Sequence, residues 1–343
     1  MTRPYRGYGS GMPLTRSLDD STVVITGASS GIGTATAYAL ARRGAAVVLA
    51  ARSEPALRQV AQHCRELGGR ALAVPTDVTD LESVQRLADR AAAEFGRIDA
   101  WVNNAAVGVV GLFDEIPVAE FRRVVEVNLL GAVHGIKAAL PHLGVAGGGV
   151  LVNNASVLAE VAMPYQSAYN ATKHGIRGLA DTVRQELRVT GRGQISICTV
   201  LPATMDTPFF RHAANHSGRE LLPPPPVYPP EVVAETIVRL LRRPRREAYA
   251  GGAARLLGLQ WRLAPALVER TLGWYAHRTQ FGPGARMDSS GNVFHADAEG
   301  RRNGGWHGRR RQLVRITAAF GLAAAGTAVG TMAAITRRSR LTR

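Results

Sequence analysis

Thr22-Val-Val-Ile-Thr26-Gly27-Ala-Ser-Ser-Gly31-Ile-Gly33 sets the fold class of this chain. A short β-branched run leads into three glycines spaced Gly-x-x-x-Gly-x-Gly, and Thr34 to Arg43 then has helical spacing. The pattern reads as strand, tight turn, helix. Glycine permits the turn and lets a pyrophosphate approach the backbone, where a helix N-terminus offers N–H donors. The spacing is not Gly-x-Gly-x-x-Gly, so a dinucleotide reading rests on the elements around it. A second strand follows at Ala46 to Ala50, and Arg52 stands nineteen residues beyond Gly33. An acid at that place would suit a ribose 2′-hydroxyl, whereas a guanidinium suits a 2′-phosphate. NADP(H) is therefore expected over NAD(H), with Glu54 nearby for a ribose hydroxyl and a solvated loop arginine as the plain alternative.

The alternation continues. Ala71 to Pro75 reads as a strand ending in Asp77-Val78, Leu81 to Phe95 as a helix, and Ile98 to Val102 as a strand ending in Asn103-Asn104-Ala105-Ala106. Val118 to Leu143 is a long helical pattern containing Asn128, and Val150 to Asn153 is a strand. Gln194 to Val200, Glu231 to Arg242 and Arg246 to Ala250 read as strand, helix and strand. Such repetition predicts an α/β fold: a Rossmann-like doubly wound parallel sheet with helices on both faces. Ligands then bind beyond the carboxyl ends of the strands.

Within Ser156-Val-Leu-Ala-Glu-Val-Ala-Met-Pro-Tyr-Gln-Ser-Ala-Tyr169-Asn-Ala-Thr-Lys173, a tyrosine and a lysine four apart open a helical pattern, Ala168 to Val189. Residues i and i+4 share a helix face, so the ammonium can lie beside the phenol. A free phenol titrates near pH ~10. A neighbouring cation lowers that value toward the working range. Ser156, at the end of a strand, can hydrogen-bond the same substrate oxygen. Together the three could move a proton to or from an alcohol or carbonyl oxygen. Taken alone, the Tyr-x-x-x-Lys spacing is weak, since an exposed helical tyrosine beside a solvated lysine looks the same.

In combination, Thr26-Gly-Ala-Ser-Ser-Gly-Ile-Gly33, Asn103-Asn-Ala105, Asn128, Ser156, Tyr169-Asn-Ala-Thr-Lys173 and Leu201-Pro202 resemble the short-chain dehydrogenase/reductase family over about residues 20–250. The resemblance implies a catalytic set of Asn128, Ser156, Tyr169 and Lys173. Tyr169 would be the acid-base residue, and Lys173 would hold the nicotinamide ribose and lower the phenol's pKa. Ser156 would orient the substrate oxygen, and Asn128 would anchor a water relaying protons from Lys173 to solvent. It also implies a cofactor cradle of Thr26, Gly27, Ser29, Ser30, Gly31, Ile32 and Gly33. Arg52 would take the phosphate, Asp77 and Val78 the adenine, and Asn104 and Ala105 the cofactor-side backbone. Pro202 and Thr207 would stand at the nicotinamide. Two positions depart from the family pattern: Ala106 and Ala203 stand where the family usually has glycine.

The ends of the chain lie outside that pattern. Residues 1–20 have no period, lack the apolar core of a secretory signal, and read as a flexible lead-in to about Leu18. Residues 21–250 form the dinucleotide-binding domain, with about 204–230 as a lid whose Phe209, Phe210, Leu221 and Leu222 would face the substrate. His212 and His216 could be read as a metal pair, but no third ligand is evident and no metal is expected. Residues 251–280 form an amphipathic helical extension broken at Pro265, packing on the core or a second subunit, or serving as a membrane-surface or substrate-entry element. Residues 281–315 read as a basic, Gly-rich linker.

Ile316 to Ile335 is a twenty-residue run without charge, a candidate transmembrane helix of about 30 Å. Gly326 and Gly330 would let two such helices meet. Eight of its residues are alanine, so an oligomerisation helix is the alternative. Arginines flank both ends, and 336–343 is a basic tail. Of the net charge of +16, +10 belongs to residues 301–343, which hold ten arginines and no acid. The remainder is an ordinary surface. Nucleic acid is not an expected partner, because no aromatics interleave with these arginines. Cys64 and Cys198 are too few for a disulfide framework, which points to a reducing compartment.

These observations predict an NAD(P)-dependent oxidoreductase acting on a small, lipophilic carbonyl or alcohol. A homo-oligomer is expected, on the cytoplasmic side and membrane-associated through the C-terminal helix. The rival is a non-catalytic nucleotide-binding scaffold anchored by its tail.

Overall fold

The computed structural model describes residues 12–296 and 300–306. The apolar run Ile316–Ile335, the basic tail 336–343, the rest of the expected linker and residues 1–11 lie outside the described residues.

In chain order the first half contains β1 (Thr22–Thr26), α1 (Gly31–Ala41), β2 (Ala46–Ala51), α2 (Glu54–Glu66), β3 (Arg70–Pro75), α3 (Leu81–Phe95), β4 (Ala100–Asn103), β5 (Val109–Val110), α4 (Val118–Val125), α5 (Gly131–Val145) and β6 (Gly149–Asn154). The second half contains α6 (Ser167–Val189), β7 (Ile195–Pro202), α7 (Phe209–His212), β8 (Ala214–Asn215), β9 (Arg219–Leu221), α8 (Glu231–Arg242), β10 (Glu247–Ala250), α9 (Gly252–Leu263), α10 (Pro265–Thr279) and β11 (Phe281–Ala285).

The central sheet is parallel, in the order β10-β7-β6-β4-β1-β2-β3. Alternate residues of β1 serve opposite faces, as a two-residue period requires. Val23 and Ile25 join Leu40, Leu57 and Ile237 under α1, α2 and α8. Val24 joins Leu87, Leu143 and Leu151 under α3, α5 and α6. Strand order reverses between β1 and β4, which opens a crevice at the carboxyl ends of those strands.

The long pattern from Val118 is one helix, Val118–Val145, widened by a π turn at Glu126–Leu130. The turn inserts a residue into the helical register and carries Asn128, which is buried. By length and apolarity this helix could cross a membrane. Half of its most apolar 18-residue window is buried, and its second part packs on α3, β4 and β6, so core packing accounts for its composition.

Two stretches are more ordered than the sequence suggests. Between Met12 and Asp20, the Met12 carbonyl accepts the Ser196 hydroxyl at 2.8 Å and the Leu14 amide donates to Leu241 at 3.2 Å. The lead-in therefore packs from Met12 onward, through contacts that leave no periodic trace. Residues 281–306 are not a linker where they are described. Strand β11 pairs antiparallel with β9, and Val293 is fully buried. Their glycine and polar content reflects backbone contacts in place of side-chain packing.

Gly135 lets α5 lie directly on β4. A Cβ there would press on the Asn103 carboxamide and sit 2.8 Å from the Trp101 indole nitrogen. The Trp101–Asn103 hydrogen bond of 2.8 Å is buried and has no room to yield. Gly135→Ala should destabilise the fold by about 1–3 kcal/mol; an unchanged midpoint in chemical denaturation would count against this packing.

Candidate functional site

A cavity of about 1630 Å³ opens at the carboxyl ends of the strands. Its polar end is lined by the β1–α1 turn and its apolar end by α7, α9 and α10. Ser156 and Tyr169 stand on its wall.

Ser156, two residues beyond β6, has extended backbone and caps the 3-10 turn Val157–Ala159, its hydroxyl accepting the Leu158 amide at 3.1 Å. That hydroxyl also lies near enough to Tyr169 to favour its phenolate. Tyr169 and Lys173 are one turn apart on α6, and the Lys173 ammonium lies 5.2 Å from the phenol ring centre. Lys173 is 2 % exposed and donates to the Asn154 carbonyl at 2.9 Å. Burial pulls the ammonium down to about 7. It pushes the Tyr169 phenol up to about 12, against the opposing effect of Ser156. The lowered phenol pKa expected from the i, i+4 pair is thus reversed in the protein alone. Burial disfavours charge on both groups, and a cation half lost near pH 7 does not offset it.

Asn128 works mainly on the backbone. Its carboxamide accepts from the Val107 amide at 2.8 Å and donates to the Val107 carbonyl at 3.0 Å and the Thr172 hydroxyl at 3.3 Å. This ties the loop after β4 to α6. A second cavity of about 10 Å³ lies among Asn128, Asn153, Asn154 and Lys173, the size of one water.

Most residues expected to cradle a cofactor share the large cavity: Gly27, Ser29, Ser30, Gly31, Ile32, Arg52, Asp77, Val78, Asn104, Ala105, Pro202 and Thr207. Ala106 and Ala203, the departures from the family pattern, line it as well. Thr26 and Gly33 stand behind it. The Thr26 hydroxyl accepts the amides of Asn104 and Ala105 at 3.0 and 3.2 Å. A Cβ on Gly33 would lie 2.7 Å from the Asn104 carboxamide, so only glycine lets α1 start this close to the turn. The Asn104 side chain is spent on the carbonyls of Thr26 and Gly27 at 2.9 and 3.1 Å. Asp77 accepts from Thr79 and from Arg123 at 3.0 Å; burial opposes its charge, but these bonds hold the carboxyl below its usual range. A turn that admits no side chain, a helix N-terminus and a long cleft fit a dinucleotide.

Residues 292–296 and 300–306 lie at the front of this cleft. Arg52 donates to the carbonyls of Asn292, Phe294 and His295 at 2.8, 3.2 and 3.1 Å. The Gly31 amide donates to Arg301 at 3.1 Å, and the Trp306 amide to Asp206 at 2.8 Å. The guanidinium assigned from sequence to a phosphate is therefore engaged by main-chain oxygens. No motif signals this contact, because it is made by backbone.

On the substrate side Phe209 and Phe210 line the cavity, and Phe209 lies 5.3 Å from the Tyr169 ring. Leu221 packs instead with Val110, Ala213 and Phe281, drawn there by the β9–β11 pairing. Glu160 carries a buried carboxylate that accepts from Tyr249 at 2.6 Å and from Arg262 at 2.7 Å, fastening α9 beside the Ser156 turn. His216 spends both ring nitrogens on Glu120 and Asp288, at 2.8 and 3.3 Å. Among the described residues no group of three or more His, Cys, Asp or Glu is arranged for a metal.

A family model described as short chain dehydrogenase matches residues 21–217. An uncharacterized oxidoreductase, YxnA, of Bacillus subtilis (strain 168) is 36% identical over 269 residues, 77% of this chain and 75% of the relative. The cis-4-hydroxycyclohexanecarboxylate dehydrogenase of Sinomonas cyclohexanicum is 45% identical over 186 residues, covering 54% and 73%. Among solved structures, an alcohol dehydrogenase from the archaeon Thermococcus sibiricus complexed with 5-hydroxy-NADP aligns with a TM-score of 0.59 and 31% identity, covering 67% of this chain and 95% of that one.

The buried lysine makes a prediction about stability. The Lys173 ammonium is held near 7 in the fold and near ~10.4 in an unfolded chain. Below pH 7 both states are charged and the fold bears the full cost of burying the cation. That cost fades as pH rises from 7 toward 10, where only the unfolded chain stays protonated. Lys173→Met should therefore raise the thermal midpoint by a few degrees at pH 6, about 2–4 °C per kcal/mol gained. The gain should shrink steadily toward pH 10. A gain that grew with pH in thermal scans would contradict the buried cation.

Proposed function

The chain belongs to the short-chain dehydrogenase family, and on that premise we propose that it oxidises a lipophilic secondary alcohol, or reduces the matching ketone, with NADP(H). Members of this family are oxidoreductases that interconvert CH–OH and C=O with NAD(P)(H), and this chain is one of them. The finer reading is carried by one observation. The Ser156 and Tyr169 side chains share the cavity wall where the glycine-rich cleft meets the apolar chamber.

The cofactor supplies a hydride acceptor or donor at the nicotinamide carbon. The chain's own residues handle the proton. Tyr169 takes the proton from the alcohol oxygen in one direction and returns it in the other, and Ser156 hydrogen-bonds that oxygen. With the phenol raised and the ammonium lowered, the proton rests on Tyr169 in the protein alone, so alcohol oxidation requires the bound cofactor and substrate to favour the phenolate, with Lys173 the next group on the proton path. Asn128 and the small cavity beside Lys173 continue that path toward solvent. Phe209 and Phe210, over the Tyr169 ring, exclude water and present apolar surface to the substrate.

Arg52 supports the NADP(H) preference, at the end of β2 beside Asp77 and Ser53. A phosphate would have to replace carbonyl oxygens at its guanidinium, and hydrogen bonds to an ionised acceptor are about twice as strong as those to a neutral one. The Thermococcus enzyme, crystallised with an NADP analogue, points the same way. So does the ring alcohol in the Sinomonas enzyme's name for the substrate class.

Tyr169→Phe should lower kcat on the order of 10²–10⁴-fold while leaving NADPH binding, read by nicotinamide fluorescence, within about twofold. Full turnover in this variant would sink the assignment. Wild-type protein should bind NADPH about tenfold or more tighter than NADH, and Arg52→Ala should erase the difference. Equal affinities in the wild type would reassign the cofactor to NAD(H).

A further inference from the structure

The exposed face of α9 and α10 carries an apolar stripe that a water-facing surface does not need. Leu256, Leu259 and Leu263 share one face of α9, and Leu267 and Trp274 share one face of α10. These five are between 40 % and 77 % exposed. Leu256, Leu263, Leu267 and Trp274 also line the large cavity. They are therefore its rim, and the stripe runs unbroken from the protein surface into the chamber that holds Tyr169.

We propose that this rim docks on an anionic lipid bilayer and that the substrate, a membrane-dissolved secondary alcohol or ketone, enters the chamber directly from the lipid. The substrate class rests on the oxidoreductase reading above; the docking does not. Three features select a bilayer as the occupant. The first is charge: besides Arg262, which is paired with Glu160, α9 and α10 carry Arg255, Arg270 and Arg278 against a single acid, Glu269. Arg270 and Arg278 lie four residues either side of Trp274 on its own face, and the Arg278 guanidinium is 5.0 Å from the Trp274 ring. An apolar stripe edged by arginine and tryptophan matches the headgroup boundary of anionic lipid. The second is access. The stripe surrounds an opening to the site, so an occupant must let substrate pass through it, which fluid acyl chains do and a folded partner does not. The third is the chain beyond Trp306. Trp306 lies against Arg211, next to the cavity-lining Phe210, and the uncharged run Ile316–Ile335 begins ten residues later, edged by arginines. Its composition suits the same lipid phase.

Cys64 and Cys198 are both buried, so a cysteine placed on the rim can be labelled selectively. Leu259 is on the stripe but outside the cavity lining. The full chain carrying Leu259→Cys, labelled with a polarity-sensitive dye, is mixed with phosphatidylglycerol vesicles and with phosphatidylcholine vesicles. The dye should shift to the blue with the anionic vesicles and be quenched by brominated acyl chains. A dye that stays in water while the protein sediments with the vesicles would overturn the proposal, because the tail alone would then be holding it. A shift that appears without vesicles and grows with protein concentration would overturn it too, since a second copy would cover the face. The double variant Arg255→Glu, Leu259→Asp should lose about tenfold or more of its turnover of a long-chain secondary alcohol dissolved in vesicles. Its turnover of cyclohexanol in solution should be unchanged. An equal ratio for the two substrates would refute direct entry. If neither alcohol is turned over by the parent protein, the oxidoreductase substrate reading fails while the dye still decides the docking.

Discussion

A lysine ammonium held in the interior by one main-chain carbonyl constrains the site more than any other contact. Lys173 reaches Asn154 at 2.9 Å, and Asn154 is the last residue of β6. A buried cation needs a fixed acceptor, and the carboxyl end of a parallel strand offers a carbonyl that its own sheet does not use. That bond sets how close α6 lies to β6. It thereby sets where Tyr169 meets Ser156, which leaves the same strand two residues later. The π turn at Glu126–Leu130 answers the same need from the other side, turning Asn128 inward to fasten the loop after β4 to Thr172 on α6. Asn128, Ser156, Tyr169 and Lys173 are thus placed by strand ends and helix register, with little left to loops.

The parts of this arrangement written in side chains were legible in the sequence. β-branched runs separated by helical periods gave the alternation, because burial on both faces of a parallel sheet forces apolar residues at consecutive positions. Leu81–Phe95 and Glu231–Arg242 lie where their periodicity placed them, since each presents one apolar face to the sheet. Pro265 divides α9 from α10 for the reason any proline would: it lacks an N–H and starts a new helix at its first turn. Helix α2 was less legible, although Pro55 stands in its first turn. Arg52 and Glu54 look like ligands when taken residue by residue, which hides their place at a helix start, where Glu54 in fact pairs with Arg58.

The parts written in backbone were not legible. Met12, Asn292, His295 and Arg301 act through main-chain carbonyls, and a carbonyl is the same whatever residue carries it. The direction of the pKa shifts was also hidden. Sequence shows that a lysine can approach a tyrosine. It does not show that the lysine is buried and the tyrosine half-buried, and burial decides which proton is held.

The extension beyond the sheet is part of the chamber. Glu160 follows the Ser156 turn by a single residue, and its carboxylate is 4 % exposed. A carboxylate at that depth is unfavourable unless it is bonded to a cation or several donors. Arg262 from α9 and Tyr249 from β10 supply those partners, 102 and 89 residues away in the chain. Removing α9 would strand the Glu160 charge beside the Ser156 turn. The Tyr275 hydroxyl likewise donates to Pro225, tying α10 to the proline run of the lid. Family motifs end before Pro225, Tyr249, Arg262 and Tyr275. They cover Ser156, Tyr169, Lys173 and the glycine-rich cleft, whereas α9 and α10, which line the apolar chamber, belong to the segment that the motifs do not reach. Chemistry and substrate access are therefore carried by different stretches of the chain, joined at Glu160.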